Sequence, residues 1–244
     1  MRLLRRSLLS LCAVGLSGTA AAQGARVAWE PSFSGSCVNC DLSGKHMSNW
    51  NLQDANYPGA VLEGAMMQGI KADNARFNAV RGDHANLTFA RLANADFENA
   101  SLVFASLSRA QASGANFNGA VLNDSRLSGA QFVGSRFLGT ALHRVRATSA
   151  DFSTSNLSAA EFDGARLNGA QFVGAVLSNT SFKGADIAGA IFEDAKLDGT
   201  DFSGATGWMS ADFTNTCATE TTILPEGMSL MTCGTSFAGD VNGG

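Results

Sequence analysis

Large apolar side chains recur at every fifth residue through most of this chain. Stepping in fives from Leu42 to Phe202 visits 33 positions, and 29 of them are Leu, Phe, Met, Tyr or Ile. The exceptions are Ala72, Gly82, Ala112 and Ala147. Two places before each large residue, 21 of the 33 positions are Ala and six are Ser or Thr. Two places after it, 24 of the 33 are Gly, Asn or Asp. One unit thus reads small, any, large, any, turn former, as in Ala165-Arg166-Leu167-Asn168-Gly169.

A period of five fits neither a helix, which needs apolar residues near 3.6 spacing, nor a flat strand, which needs two. The small and large residues lie two apart, so a short extended segment shows both to one face. The turn former then bends the chain, because Gly, Asn and Asp tolerate positive φ. Repetition winds a coil with two positions inward and three outward. No single unit buries its Leu or Phe, but stacked units do.

A second period, of twenty, predicts how the units stack. Phe132, Phe152, Phe172 and Phe192 form one row. Tyr57, Phe77, Phe97, Phe117 and Phe137 form another, continued by Leu157, Leu177 and Leu197. Phe162, Phe182 and Phe202 end a third, while the fourth, from Met47 and Met67 to Leu167 and Ile187, holds no Phe. Four units per turn is the natural reading. The segment Arg126–Ser135 also recurs forty residues later as Arg166–Ala175, a spacing of two such coils.

This pattern resembles the pentapeptide-repeat family over about residues 40 to 213, with Trp208 and Phe213 resuming the phase after a slip of one residue. The resemblance implies an all-β fold, a right-handed quadrilateral β-solenoid of about eight coils with four pentapeptides per coil. At about 4.8 Å per coil the rod is about 40 Å long. Its matching residues are all core and turn, so it implies little about function. The expected organisation is a signal peptide over 1–22, an N-terminal cap over 23–40, the solenoid over 41–213, and a C-terminal cap with a flexible Gly-rich tail over 214–244. Each buried Leu or Phe contributes about 1.5–3 kcal/mol of transfer free energy, largely offset by chain entropy. The open end coils offer unpaired strand edges, so capping is expected.

The first 22 residues read as an export signal. Arg2, Arg5 and Arg6 precede a short apolar run, Leu8 to Leu16, and Ala20-Ala21-Ala22 supplies the small-residue cleavage pattern. The cut is placed between Ala22 and Gln23. Arg5-Arg6 partly matches a twin-arginine signal, although an Arg pair is common in ordinary ones. The apolar run is too short to span a bilayer, and Leu11 before Cys12 argues against a lipid anchor. The protein is therefore expected to be exported, either periplasmic or secreted.

Cleavage leaves four cysteines at the two ends of the repeat: Cys37, Cys40, Cys217 and Cys233. An even count in an exported chain favours disulfides, and Cys37–Cys40 with Cys217–Cys233 would staple one cap each. The second pair closes a loop of about 17 residues, which stabilises by about 3 kcal/mol in the chain-entropy view. Exported pentapeptide-repeat proteins are similar here, with Cys-x-x-Cys leading into Asp-Leu-Ser-Gly, Asp41 to Gly44 in this chain. A redox dithiol and a zinc site are the alternatives. The first usually accompanies a βαβ pattern, and the second would need rod ends to meet.

Composition now takes on a specific meaning. Sixteen Phe against one Tyr reflects the stacked rows, and sixteen of the 27 Gly occupy the turn position. Without Arg2, Arg5 and Arg6 the chain holds 14 basic and 21 acidic residues, a net of about −7. That balance argues against nucleic acid and anionic membrane as partners. Charge is divided along the rod: residues 41–147 carry eight acids and ten bases, residues 148–216 nine acids and three bases.

No catalytic motif appears, and no cofactor or metal is expected. His46, His84 and His143 lack ligand spacing, and the first and last should lie on the surface. Carboxylates on an open face without a cleft rarely reach the pKa values that acid–base work needs. One surface pattern is less random. Arg126, Arg146 and Arg166 are twenty apart, so they stack on one face, with Arg144 beside them. Like charges on neighbouring strands repel, which suggests a counterion or partner. The plainer reading is that Arg stems cover coil surface while their heads stay solvated. The units at Gly82 and at Val145–Ala147 depart from the pattern, as a bulge or projecting loop does; erosion of a redundant repeat explains them more simply.

The leading functional reading is a non-catalytic exported scaffold or protein-binding surface. The resemblance brings a second. Some pentapeptide-repeat proteins mimic DNA and bind type II topoisomerases, which requires a cytoplasmic location and a strongly acidic face. The export signal, mixed surface and paired cysteines disfavour that reading.

Overall fold

The computed structural model describes residues 35–233. The signal segment, its cleavage point between Ala22 and Gln23, the start of the N-terminal cap and the Gly-rich tail lie outside them. From Ser36 to Thr206 the described chain is built from parallel β-bridges that pair each residue with the one twenty further on, at every fifth position. The bridge Arg126↔Arg146 is followed by Arg146↔Arg166, and so for each row. The result is a β-solenoid.

One unit shows why the chain winds this way. Arg166 N–H donates back to Val145 O (2.9 Å), while Leu167 N–H and Gly169 N–H donate forward to Asp186 O (2.7 Å) and Ala188 O (2.9 Å). Ala170 N–H donates to Leu167 O (2.9 Å) and closes the turn. Three bonds to neighbouring coils and one within the turn pair four of the unit's five N–H groups inside the fold. All 33 turn positions between Gly44 and Gly204 have positive φ, from 54° to 70°. A repeated left-handed residue is what turns a two-residue extended segment through each corner.

The interior is filled by rows of like side chains. Phe132, Phe152, Phe172 and Phe192 stack with ring centroids 4.9–5.2 Å apart. Phe77, Phe97, Phe117 and Phe137 stack at 5.0–5.1 Å. Rings of adjacent rows meet edge to face, as Phe162 does with Phe172 at 5.9 Å and 86°, so both favoured aromatic geometries operate together.

The irregular units keep the ladder. Gly82 lies between the regular bridges Val61↔Arg81 and Arg81↔Ser101, and Leu102 Cδ2 occupies the space its side chain would take. Val145 and Ala147 are fully buried in register. No bulge or projecting loop forms at either place, and at Gly82 the Leu102 side chain absorbs the lost volume. The slip comes later, at Gly207 (φ 74°) and the 3₁₀ turn Trp208–Ser210. Beyond it the pairing offset becomes 21, in Ile191↔Asp212, and Phe213 still stacks on Phe192 at 4.7 Å. Leu224 and Leu230 then pack against the end of the core. Cys37 is disulfide-bonded to Cys40 at the first coil, and Cys217 to Cys233 beyond the last, with Cα–Cα distances of 5.4 and 5.0 Å.

Buried hydroxyls on the small-residue rows follow one rule. Ser135, Thr140, Ser155, Thr180 and Thr200 each donate to the carbonyl 23 residues earlier, at 2.6–2.8 Å. Ser125 Oγ is buried among the described residues without a partner. An unpaired buried hydroxyl costs free energy that a paired one does not. Ser125→Ala is therefore expected to stabilise the protein by about 1 kcal/mol, and Ser155→Ala to destabilise it by a similar amount. Denaturant midpoints of the two variants test this; shifts of the same sign would contradict it.

Candidate functional site

Side chains at the corners form their own ladders, because each stands one coil above the residue twenty earlier. Most corners use Gly, Asn or Asp, for which positive φ is cheap. Nine do not: Ala79, His84, Phe89, Phe104, Arg109, Arg144, Ser149, Thr154 and Ala159. They cluster in the middle of the rod. Phe89 and Phe104 are the costly cases, with φ of 59° each and more than half of their surface exposed. A bulky left-handed residue stores strain of about 1–3 kcal/mol. The core gains nothing in return, since both rings point away from it.

These residues pair along two corners. His84 stacks on Phe104 (5.1 Å, 12°), and on the same corner Asp124 and Arg144 form a two-pronged ion pair at 2.9 and 2.7 Å. On the next corner the Arg109 guanidinium lies over the Phe89 ring, 5.6 Å from its centroid. The flat face between the two corners carries Arg126, Arg146 and Arg166, adjacent in the bridge ladder and exposed. Among the described residues none of these three guanidiniums has an ion-pair partner. The stack expected from the sequence is therefore present, and Arg144 lies beside it but is engaged by Asp124.

Phe104, Asp124, Arg126, Arg144, Arg146, Gly164 and Arg166 line one groove of about 460 Å³. Four arginines face one aspartate, and that aspartate is already neutralised. The hydrogen bond from Arg144 holds the Asp124 carboxyl below its ordinary pKa, and Asp124 in turn raises that of Arg144. A carboxylate with a lowered pKa keeps its pairing above the ordinary carboxylate range and loses it only as pH falls below that range. The Asp124–Arg144 pair is thus intact through neutral pH.

The histidines lie apart. His46 is exposed, His84 belongs to the corner stack, and His143 is half-buried, with Nε2 2.8 Å from Glu161 Oε2. Among the described residues no group of three or more His, Cys, Asp or Glu could hold a metal ion. No helix among them is long and apolar enough to cross a membrane. Sequence reasoning missed Phe89, Phe104 and Asp124 as parts of the site. For Phe89 and Phe104 the available signal was the breach of the Gly/Asn/Asp rule at turn positions; Asp124 obeys that rule and carried no such signal.

The family model of pentapeptide repeats matches this chain in eight copies, over stretches 83–119, 100–139, 138–172, 155–194 and 165–204. The chain belongs to the pentapeptide repeat family. Its fold is accordingly the family's right-handed β-solenoid. Among solved structures, it is similar to HetL, a pentapeptide repeat protein involved in heterocyst differentiation regulation from the cyanobacterium Nostoc sp. strain PCC 7120. The two are 25% identical, with 76% of this chain and 86% of that chain covered and a TM-score of 0.59. QnrB1, a plasmid-mediated fluoroquinolone resistance protein, is 18% identical over 73% of this chain and 92% of its own, with a TM-score of 0.48. No curated protein sequence matches the chain.

Relief of strain separates fold from function at the two aromatic corners. Phe89→Asn and Phe104→Asn place the residue type that Asn94 and Asn99 already use at such corners. Each is expected to keep stability or raise it by up to about 1 kcal/mol. Thermal midpoints test this; a drop in both variants would show that the ring contacts outweigh the strain.

Proposed function

We propose that this pentapeptide repeat protein is a non-catalytic, exported scaffold whose surface binds another protein. The observation that carries the reading is the stack of three unpaired arginines, Arg126, Arg146 and Arg166, along a groove on an open face. Such a stack brings like charges together, and nothing in the fold requires it. Its coil is four-sided with about eight turns, supported by the offset of twenty between bridged positions. The proposed organisation is a signal peptide over 1–22, a cap to residue 40, the solenoid to 213, and a second cap and tail to 244. Disulfides at both ends are compatible with an oxidising compartment outside the cytoplasm. In this reading the protein needs no cofactor and does not act on nucleic acid.

Topoisomerase binding by DNA mimicry is the competing reading. It needs an acidic face, whereas the most regular charged stack here is basic. The exported protein is expected to begin at Gln23 and to show none of Cys37, Cys40, Cys217 and Cys233 as a free thiol. Mass spectrometry of the exported fraction measures both. Four free thiols would overturn the disulfide-capped ends, a chain still beginning at Met1 would overturn the cleaved signal, and inhibition of gyrase supercoiling at low protein concentration would put the topoisomerase reading first.

A further inference from the structure

We propose that the groove beside Phe104 is a docking site for a short, extended acidic segment of the partner protein, one carrying a large apolar side chain next to its carboxylates. The inference rests on the scaffold reading above and specifies its ligand.

Several observations converge on that chemistry. Three unpaired guanidiniums, at Arg126, Arg146 and Arg166, stand in file along the rod. Across two coil steps they span about 10 Å, the length of about three extended peptide residues. A guanidinium fork matches a carboxylate in two-pronged geometry. The lining is almost all donors, because its one carboxylate, Asp124, is already held by Arg144. A hydroxyl-rich sugar needs acceptors as well as donors, but a carboxylate needs donors alone. The donor-rich lining therefore selects against neutral glycans.

Length is restricted by the next coil. The residue that continues the Arg126–Arg146–Arg166 row is Asp186, bridged to Arg166. A polyanion, whether nucleic acid or polysaccharide, that extended past Arg166 would run onto this carboxylate and then along the acid-rich end of the rod, while the other direction continues to uncharged Ser106. A short acidic segment ends before it. Phe104 supplies the remaining part. One face of its ring is covered by His84. The ring lines the groove at the end opposite Arg166 and stays more than half exposed on a strained backbone. Residues held in strained backbone conformations cluster at ligand clamps. A ligand that uses both Phe104 and the arginines must be part apolar and part anionic, as a peptide is.

Fluorescence anisotropy with the disulfide-bonded protein tests the proposal. The probe is a labelled octapeptide holding one Phe followed by four Glu, compared with the same peptide carrying Lys for Glu. Saturable binding of the Glu peptide is expected, at least tenfold tighter than the Lys peptide and weakened by added salt. Combining Arg126→Ala, Arg146→Ala and Arg166→Ala should weaken it at least tenfold, while Arg136→Ala, exposed on another face, should not. Phe104→Asn should weaken it at least threefold without lowering the thermal midpoint, which no loss of fold could produce. The proposal is overturned if the wild type does not bind the Glu peptide, or if the triple variant binds it equally. Tighter binding of an oligogalacturonate or an oligothymidylate than of the peptide would also overturn it. A partner captured from the exported fraction that still binds the triple variant would remove this site but leave the scaffold reading standing.

Discussion

Everything in this molecule depends on one backbone constraint, the hydrogen-bond ladder that sets residue n beside residue n+20. Once that register holds, each side chain has a like-placed neighbour above and below it. Inside, this turns Phe at every twentieth position into ring stacks near 5 Å, where each added ring gains the next one's contact. Outside, the same register lines up Arg126, Arg146 and Arg166. The core and the charged stack have one geometric cause, but opposite energetic signs. Aromatic stacking stabilises the coil; unpaired guanidiniums in file do not.

The corners carry the second constraint. Each needs positive φ, and glycine meets it without steric cost, as at Gly164 and Gly169. Phe89 and Phe104 meet it with strain and gain no burial. Solenoids tolerate such residues because their stability is spread over many similar interfaces, so one expensive corner does not unwind the rest. That redundancy leaves the surface open to change. Gly82, Val145 and Ala147 show the same tolerance inside: the ladder is undisturbed at all three, and at Gly82 the Leu102 side chain fills the lost volume.

The ends behave differently from the middle. After Thr206 the strict spacing gives way to Gly207 and a 3₁₀ turn, and pairing resumes out of step, by one residue at Ile191↔Asp212 and by two at Asp201↔Ile223. Phe213 nevertheless completes the Phe192 row, because a ring stack requires position in space and not a fixed count along the chain. Leu224 and Leu230 then close the core, and the Cys217–Cys233 bond ties the segment that carries them. Little of this was legible beforehand beyond the slip itself and the cysteines, since a cap has no repeat to betray it.

What the sequence determined by itself was the coil: the period of five, the rows twenty apart, the sorting of Phe, and the arginine stack. These follow from local turn chemistry repeated many times, and repetition makes them legible without a structure. What only the tertiary structure decided was which outward residues cooperate. Asp124 lies twenty residues from Arg144, so the register sets both on one corner, but the spacing does not say that the two side chains engage in a two-pronged pair or that Asp124 lines a groove with Arg126. His84 and Phe104 likewise become one stack only because the corner brings their rings into line. Outward positions obey no burial rule, so their partners are set by the three-dimensional register and by the reach and rotamer of each side chain, which a linear pattern does not encode.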